Sequence, residues 1–301
     1  MAILVSKCVM SEVMGAIIDA EALGGLERSC TPSPHDWIRL APPEEGLERL
    51  EAFFEGHAYD PHRHDTYAIG YTLSGVQSFD YRGTKVDSTA GKVIVIHPDE
   101  VHNGRSGVET GFRYRMLYIE PFMIRDALGE RAGSLPFVRD VVADDLRLLA
   151  ALRPAFEALD NGLEGLEMDQ IVVAIADALL ARDPSAAKRS KSAISVKAVE
   201  RARHFLNENF GRTVASGQLE EITGLDRYSL ARHFRQQLGT SPYRYLTMRR
   251  LDQAKRSMRE GASLADAAFS SGFADQSHMT RQFKQAFGMT PGRWRAVNAG
   301  S

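Results

Sequence analysis

Imidazoles and phenols crowd one stretch of this 301-residue chain: His62, His64, Tyr67, Tyr71, His97, His102 and Tyr118, with Glu100 among them. Three imidazoles such as His62, His64 and His102 can hold zinc or iron with a coordination position left open. The same groups can line a polar-edged pocket for a small molecule, or simply satisfy the hydrogen bonds of a core and its rim. The chain shows no Ser-His-Asp or Cys-His signature and no phosphate-binding loop, so covalent and phosphoryl-transfer enzymes lack their machinery here. Cys8 and Cys30 are the only cysteines. Two are too few for a disulfide framework or a four-sulfur zinc site, and they suit a reducing cytoplasm.

The second chemistry on offer is phosphate neutralisation. A formal net charge of -2 hides a division: from Ser195 to the end there are 17 Lys and Arg against 9 Asp and Glu, a net of +8, which leaves 20 against 30, or -10, for residues 1–194. Binding to DNA is driven largely by counterion release, and a basic C-terminal domain on an acidic partner supplies it. A solvated basic face is the plain alternative. With 44% hydrophobic and 25% charged residues the composition is that of a globular protein, which excludes a disordered or fibrous chain. No run approaches the ~20 apolar residues of a membrane span.

The elements that must carry the basic residues repeat. Leu225–Pro242 realigns 49 positions later on Ala274–Pro291, with Asp226 on Asp275, Arg232 on Arg281, Phe234 on Phe283, Gly239 on Gly288 and Pro242 on Pro291. Each copy predicts helix, tight turn, helix. In the first, residues 218–223 form a short helix, Gly224 ends it in the left-handed region and Asp226 caps the next. In the second, residues 264–271, Gly272 and Asp275 play those parts. Leu230 and Phe234, like Met279 and Phe283, lie four apart and face inward. Residues 243–259 join the copies as one amphipathic helix with Tyr245, Leu246, Met248, Leu251, Ala254 and Met258 on its apolar side. The layout is helix-turn-helix, in which the second helix of each pair enters the major groove, and the spacer lets one chain address two successive grooves of duplex DNA.

On these residues, Ser195 to Ala296 resembles the DNA-binding domain of the AraC/XylS family of bacterial transcription regulators, most closely from Ala265-Asp266-Ala267-Ala268 through Gly272-Phe273-Ala274-Asp275 to Gly288-Met289-Thr290-Pro291. The resemblance implies that bases are read by Arg227, Tyr228, Ala231 and Arg232 from the first copy and by Gln276, Ser277, Thr280 and Arg281 from the second. Ala231 departs from that use, because a methyl can only touch a thymine methyl or stand aside.

Between residues 50 and 120 the pattern turns to short alternating strands, including 67–73, 76–81, 93–96 and 112–119, which predicts a small barrel or jelly roll. Gly56, His62, His64, Gly75, Gly91 and His102 are spaced as in the two motifs of the cupin barrel, a domain that AraC-type regulators often carry for effector binding. In metal-bearing cupins the ligands are a His-x-His, a Glu a few residues on and a third His. Here Ala68 occupies the Glu position, so the resemblance implies a pocket without metal or cofactor. That pocket is lined by His62, His64, Tyr67, Tyr71, His97, Glu100, His102 and Tyr118, and the missing carboxylate weighs against a metal-dependent cupin enzyme fused to a DNA reader.

After the barrel, Val141, Val142, Leu146, Leu149, Leu152, Phe156 and Leu159, and then Leu166, Ile171, Val172, Ile175, Leu179 and Leu180, recur at helical spacing around Asp160-Asn161-Gly162. This predicts a helical hairpin whose apolar stripe covers the barrel or meets a second subunit, and in this family such a hairpin often forms a homodimer. Residues 183–192, small and polar with one proline, read as a linker. Met1 to Ala22 is apolar, but Lys7 is its only basic residue and Glu12 and Asp19 interrupt it, so it reads as an extension rather than a signal peptide. The expected organisation is α+β: an extension over 1–35, a cupin-like barrel over 36–122, a hairpin over 123–183, a linker over 184–194 and an all-α domain with two helix-turn-helix motifs over 195–301. The function expected is a cytoplasmic, ligand-responsive, sequence-specific transcription regulator, an activator rather than a repressor as is commoner in the family, without enzymatic activity. Its partners are double-stranded DNA, a small-molecule effector and, if it activates, RNA polymerase.

Overall fold

The computed structural model describes Ser33, residues 35–183, Ser185 and residues 196–299. The expectations for Cys8, Cys30, most of the extension and most of the linker lie outside the described residues.

Strands β1 (Trp37–Leu40), β2 (Leu47–Phe54), β3 (His57–His62), β4 (Tyr67–Tyr81), β5 (Thr84–Thr89), β6 (Val93–Ile96), β7 (His102–Ser106) and β8 (Phe112–Ile119) form the N-terminal domain. One antiparallel layer runs β1-β2-β8-β4-β6, and the other joins β3, β7, β4 and β5. The sequence predicts two strands over 67–73 and 76–81. The structure makes them one, because β4 keeps pairing through a register shift between Thr72 and Ser74 and so passes from one layer into the other.

Alternation along β4 and β8 decides what lies inside. Ala68, Phe112, Tyr114 and Met116 share a core with Leu50 and Phe54. Tyr67, Ile69, Tyr71, Leu117 and Ile119 face the other way, under helices α1 (Pro121–Leu128), α2 (Leu146–Leu152) and α3 (Gly165–Arg182).

The hairpin differs from expectation in two ways. Residues 141–159 are not one helix: Val142 and Ala143 form a ninth strand, β9, paired with β6. Asp145 caps α2, accepting from the Leu148 amide, and a 3-10 turn follows over Arg153–Phe156, where Pro154 has no N–H with which to continue the α-helical ladder. The apolar stripe is also consumed within the chain, since Leu149 is 8% and Leu152 0% exposed. The hairpin covers the barrel, and the reason for expecting a homodimer through that stripe falls away. Leu146, Leu166 and Val173 are the large apolar side chains these helices leave exposed.

The C-terminal helices are α4 (Val196–Glu208), α5 (Ser216–Thr223), α6 (Arg227–Leu238), α7 (Pro242–Arg259), α8 (Leu264–Ser270), α9 (Gln276–Phe287) and α10 (Pro291–Ala299). The Asp226 carboxylate accepts from the amides of Tyr228 and Ser229, and Asp275 from that of His278, so both repeat copies open with the same cap. Leu230 and Phe234 belong to the core of the first copy, Met279 and Phe283 to that of the second. α7 spans about 27 Å at ~1.5 Å per residue, and Tyr245, Leu246, Met248, Leu251, Ala254 and Met258 are all buried.

One hydrophobic core runs from the barrel interior into the second helix-turn-helix, uniting Ile38, Leu50 and Phe112 with Met248, Phe283, Met289 and Trp294. The barrel and the DNA-binding domain are therefore docked, not merely tethered.

Candidate functional site

The outward faces of α6 and α9 are polar. Arg227, Tyr228 and Arg232 are exposed on the first turns of α6, and Gln276, Ser277 and Arg281 on those of α9, with Ala231 and Thr280 partly covered. Tyr228 is 72% exposed, which leaves both its ring and its hydroxyl open to a partner. Arg227 is braced by Glu220 at 3.2 Å and Arg232 donates to the Ser229 hydroxyl at 2.9 Å. The eight residues thus form two equivalent patches, each on the N-terminal half of the second helix of its motif.

The basic charge divides differently from expectation. Five C-terminal basic residues are spent on the barrel: Arg249 on Asp65 and Glu120, Lys255 and Arg259 on Glu48, Lys284 on Asp60 and Arg293 on Asp36. The split between an acidic and a basic half is in large part the signature of this docking. Lys255, 6% exposed, donates to both Glu48 oxygens at 2.8 and 2.6 Å and lies over the rings of Phe287 and Trp294. Burial opposes the Glu48 charge, but Lys255 and Arg259 outweigh it and hold the carboxyl below its usual range. Asp65 goes the other way. Burial outweighs its Arg249 partner and lifts it to about 7, and one of its oxygens has no hydrogen-bond partner.

Both repeat copies rest on the barrel through the same position. Gly239 and Gly288 end α6 and α9 with φ of 70° and 67°. A Cβ at Gly239 would come within 2.6 Å of Pro98, and one at Gly288 within 2.6 Å of both the Asp60 carbonyl and the His62 ring. The amide of Asp60 donates to the Gly288 carbonyl at 2.8 Å, and that of Arg63 to the Gln285 carbonyl at 3.1 Å. The strand that carries His62 is thereby bonded to the last turn of α9.

Around that contact lies a cavity of about 570 Å³. The barrel contributes Ile38, Leu50, His62, His64 and Tyr118, and the DNA-binding domain contributes Met248, Arg249, Lys255, Phe287 and Trp294. Its walls belong to both domains.

Of the eight residues expected to line an effector pocket, the structure brings His62, His64, His102 and Tyr118 together. His62 and His102 are cross-strand partners in β3 and β7 with rings 4.2 Å apart. His64 lies 5.0 Å from His102 and 5.1 Å from Tyr118. Burial holds His62 and His64 well below their ordinary values and brings His102 down to about 4, so all three are neutral at pH 7.

The other four lie elsewhere. Tyr67 and Tyr71 sit on the outer face of β4, one donating to the Pro136 carbonyl at 2.8 Å and the other packed edge-on against Phe156. His97 accepts from the Val138 amide at 2.9 Å, donates to Tyr81 and stacks on Phe137, so it anchors the segment after the barrel. Glu100 pairs with Arg82 at 3.1 Å, both partly exposed. Residues the sequence reading missed take their places: Tyr59, whose hydroxyl bonds that of Tyr114 at 2.6 Å, and the carboxylates Glu48, Asp65 and Glu120.

Comparison with known proteins agrees with this two-part construction. Residues 45–176 match the AraC-like ligand binding domain and residues 219–296 a helix-turn-helix domain. An uncharacterised helix-turn-helix transcriptional regulator of Bacillus subtilis, YbfI, is 27% identical over 76% of this chain and 86% of its own length. The transcriptional activator RhaS of Escherichia fergusonii is 24% identical over 84% of this chain and 94% of its own. The crystal structure of unsaturated fatty acid-bound ToxT from Vibrio cholerae shares the fold at a TM-score of 0.59 and 13% identity, covering 90% of this chain and 99% of that one. Among the described residues no helix is long and apolar enough to cross a membrane. The chain belongs to the AraC family, whose members are transcriptional regulators and not enzymes, and it joins a helix-turn-helix DNA-binding domain to a small-molecule-binding barrel.

Proposed function

We propose that this protein is a ligand-responsive, sequence-specific transcription activator of the cytoplasm whose effector enters the cavity between the barrel and the DNA-binding domain. The observation that carries this reading is the shared wall. A molecule bound against His62, His64 and Tyr118 also touches Met248, Arg249 and Phe287, so it has a different affinity for the docked and undocked arrangements. Differential affinity is what an effector needs to shift a population. The position of α9 then follows β3 through the Asp60–Gly288 and Arg63–Gln285 hydrogen bonds.

Arg232 and Arg281 are the principal base readers, each suited to a bidentate contact with guanine, while Tyr228, Gln276, Ser277 and Thr280 supplement them. Ala231 and Arg227 contribute less to discrimination, the first for want of a polar group and the second because Glu220 already engages it. Activation, with RNA polymerase as partner, is favoured by the relatives named as activators.

The test is chromatin immunoprecipitation with sequencing, followed by a reporter driven from the strongest bound site. The reading requires discrete sites and a reporter output that changes when Met248→Trp fills the cavity. Binding spread evenly over the genome would overturn it.

A further inference from the structure

We infer that residues 63–65 of the barrel splint α7 where it passes from one reading motif to the other, and that Arg244, as a positioning residue, thereby sets the half-site spacing the protein accepts. α7 serves two cores. Tyr245 and Leu246 belong to that of the first helix-turn-helix, while Met248, Leu251, Ala254 and Met258 belong to that of the second. The helix crosses between them at Thr247, which is buried and donates its hydroxyl to the Tyr243 carbonyl at 3.0 Å. A back-bond of this kind weakens a helix slightly and eases its bending. The helix that joins the readers is therefore softest at the point where their relative angle is decided.

The barrel spans that point. On one side of Thr247 the buried Arg244 guanidinium donates to the Arg63 carbonyl, and on the other Arg249 donates to Asp65 at 3.2 Å. These two arginines are about 7.5 Å apart along the helix. The Arg63 amide donates to the Gln285 carbonyl at 3.1 Å. The main chain of one barrel residue is thus bonded through its C=O to the first turn of α7 and through its N–H to the last turn of α9. The Asp99 amide donates to the His64 carbonyl at 2.7 Å, which joins this segment to the loop whose Pro98 lies against Gly239 at the end of α6. Bending at Thr247 must break one of these bonds.

The angle between the readers is expressed on DNA as operator spacing. Each added base pair carries a half-site ~3.4 Å along the duplex and about 35° around it. Splinted readers fit one spacing, whereas readers on a bending α7 also meet the neighbouring ones. Arg244 lies under the barrel and takes no part in base contacts. It donates one bond to one carbonyl and uses no guanidinium fork, so lysine can replace it and methionine cannot. The inference rests on the reading of two grooves by α6 and α9, and it is independent of any effector.

The experiment uses the full chain and the duplexes that wild type selects from a random pool. Wild type, Arg244→Met and Arg244→Lys are titrated against those duplexes, against versions with the half-sites one base pair closer or farther apart, and against single half-sites. A hydrogen bond from a charged group corresponds to roughly tenfold or more in an equilibrium, so wild type should prefer the selected spacing by at least about tenfold. Arg244→Met should bind the three spacings within about threefold of one another and single half-sites as wild type does, while Arg244→Lys keeps the preference. Loss of a merely structural residue would weaken every duplex alike, and that result overturns the proposal. A preference that survives in Arg244→Met overturns it too. Wild type that binds all three spacings equally refutes the splint while leaving two-groove reading intact, and this outcome depends on no variant folding. Selection of only one half-site by wild type refutes both.

Discussion

Replacing the helix-capping glycines one at a time separates helix strain from interdomain docking. Gly224, Gly239 and Gly288 all have φ near 70°, so alanine at any of them pays the left-handed penalty of roughly 1–2 kcal/mol, partly offset by the stiffer unfolded chain. Around Gly224 nothing lies within 4 Å of the added Cβ, and the net loss there should be about 1 kcal/mol. At Gly288 the Cβ meets the Asp60 carbonyl and His62, and the neighbours cannot yield without parting α9 from β3. That parting removes two backbone hydrogen bonds at about 1 kcal/mol each, and a partly exposed Lys284–Asp60 pair at about 0.5 kcal/mol. Gly288→Ala should therefore cost about 2–3 kcal/mol more than Gly224→Ala. Gly239→Ala, which strikes only the Pro98 ring, should fall between them. Urea unfolding of the full chain, with m-values compared, measures all three. Equal losses at Gly224 and Gly288 would show that the barrel does not sit on α9 in solution.

Other outcomes follow from the same contacts. Arg232→Ala and Arg281→Ala should each lose ~1–3 kcal/mol of DNA affinity, at different half-sites, as anisotropy titrations on half-site variants would report; equal losses on random duplexes would mark both as phosphate contacts. The Glu48 carboxyl is held below its ordinary value of 4.5, so its contribution to docking is complete above that pH and lost as pH falls through the lower folded value. Denaturant midpoints between pH 7 and pH 3 should show this acid limb, and Glu48→Gln should flatten it. Leu149→Asp with Leu152→Asp should lose more than about 4 kcal/mol and unfold the N-terminal domain, because both leucines are buried; a stable folded monomer, seen by sedimentation and circular dichroism, would return that stripe to a subunit interface.

The reading helices were legible in the sequence because their signals are local. Asp226 and Asp275 cap, Gly224 and Gly272 turn, Phe234 and Phe283 anchor, and each is decided within a few residues of chain. The strands at 93–96 and 112–119 were legible for the same reason. What failed was placement in three dimensions. Tyr67 and Tyr71 are near the histidines along the chain, yet strand alternation turns them under α2 and α3, and the period of two that forms β4 could have excluded them. The partners of His97 are Tyr81 and Val138, and no spacing rule predicts the second. The docking itself left a trace that pointed two ways: acidic and basic halves attract each other as well as phosphate, and only the geometry shows five of the basic side chains already engaged.

Selection of random duplexes on the purified full chain tests the central claim most directly, that one chain reads two successive grooves through α6 and α9. The recovered sites should contain two distinct half-sites about one helical turn apart, 10–10.5 base pairs, with Arg232→Ala erasing the preference at one and Arg281→Ala at the other. A single half-site, or no enrichment over the starting pool, would contradict the account.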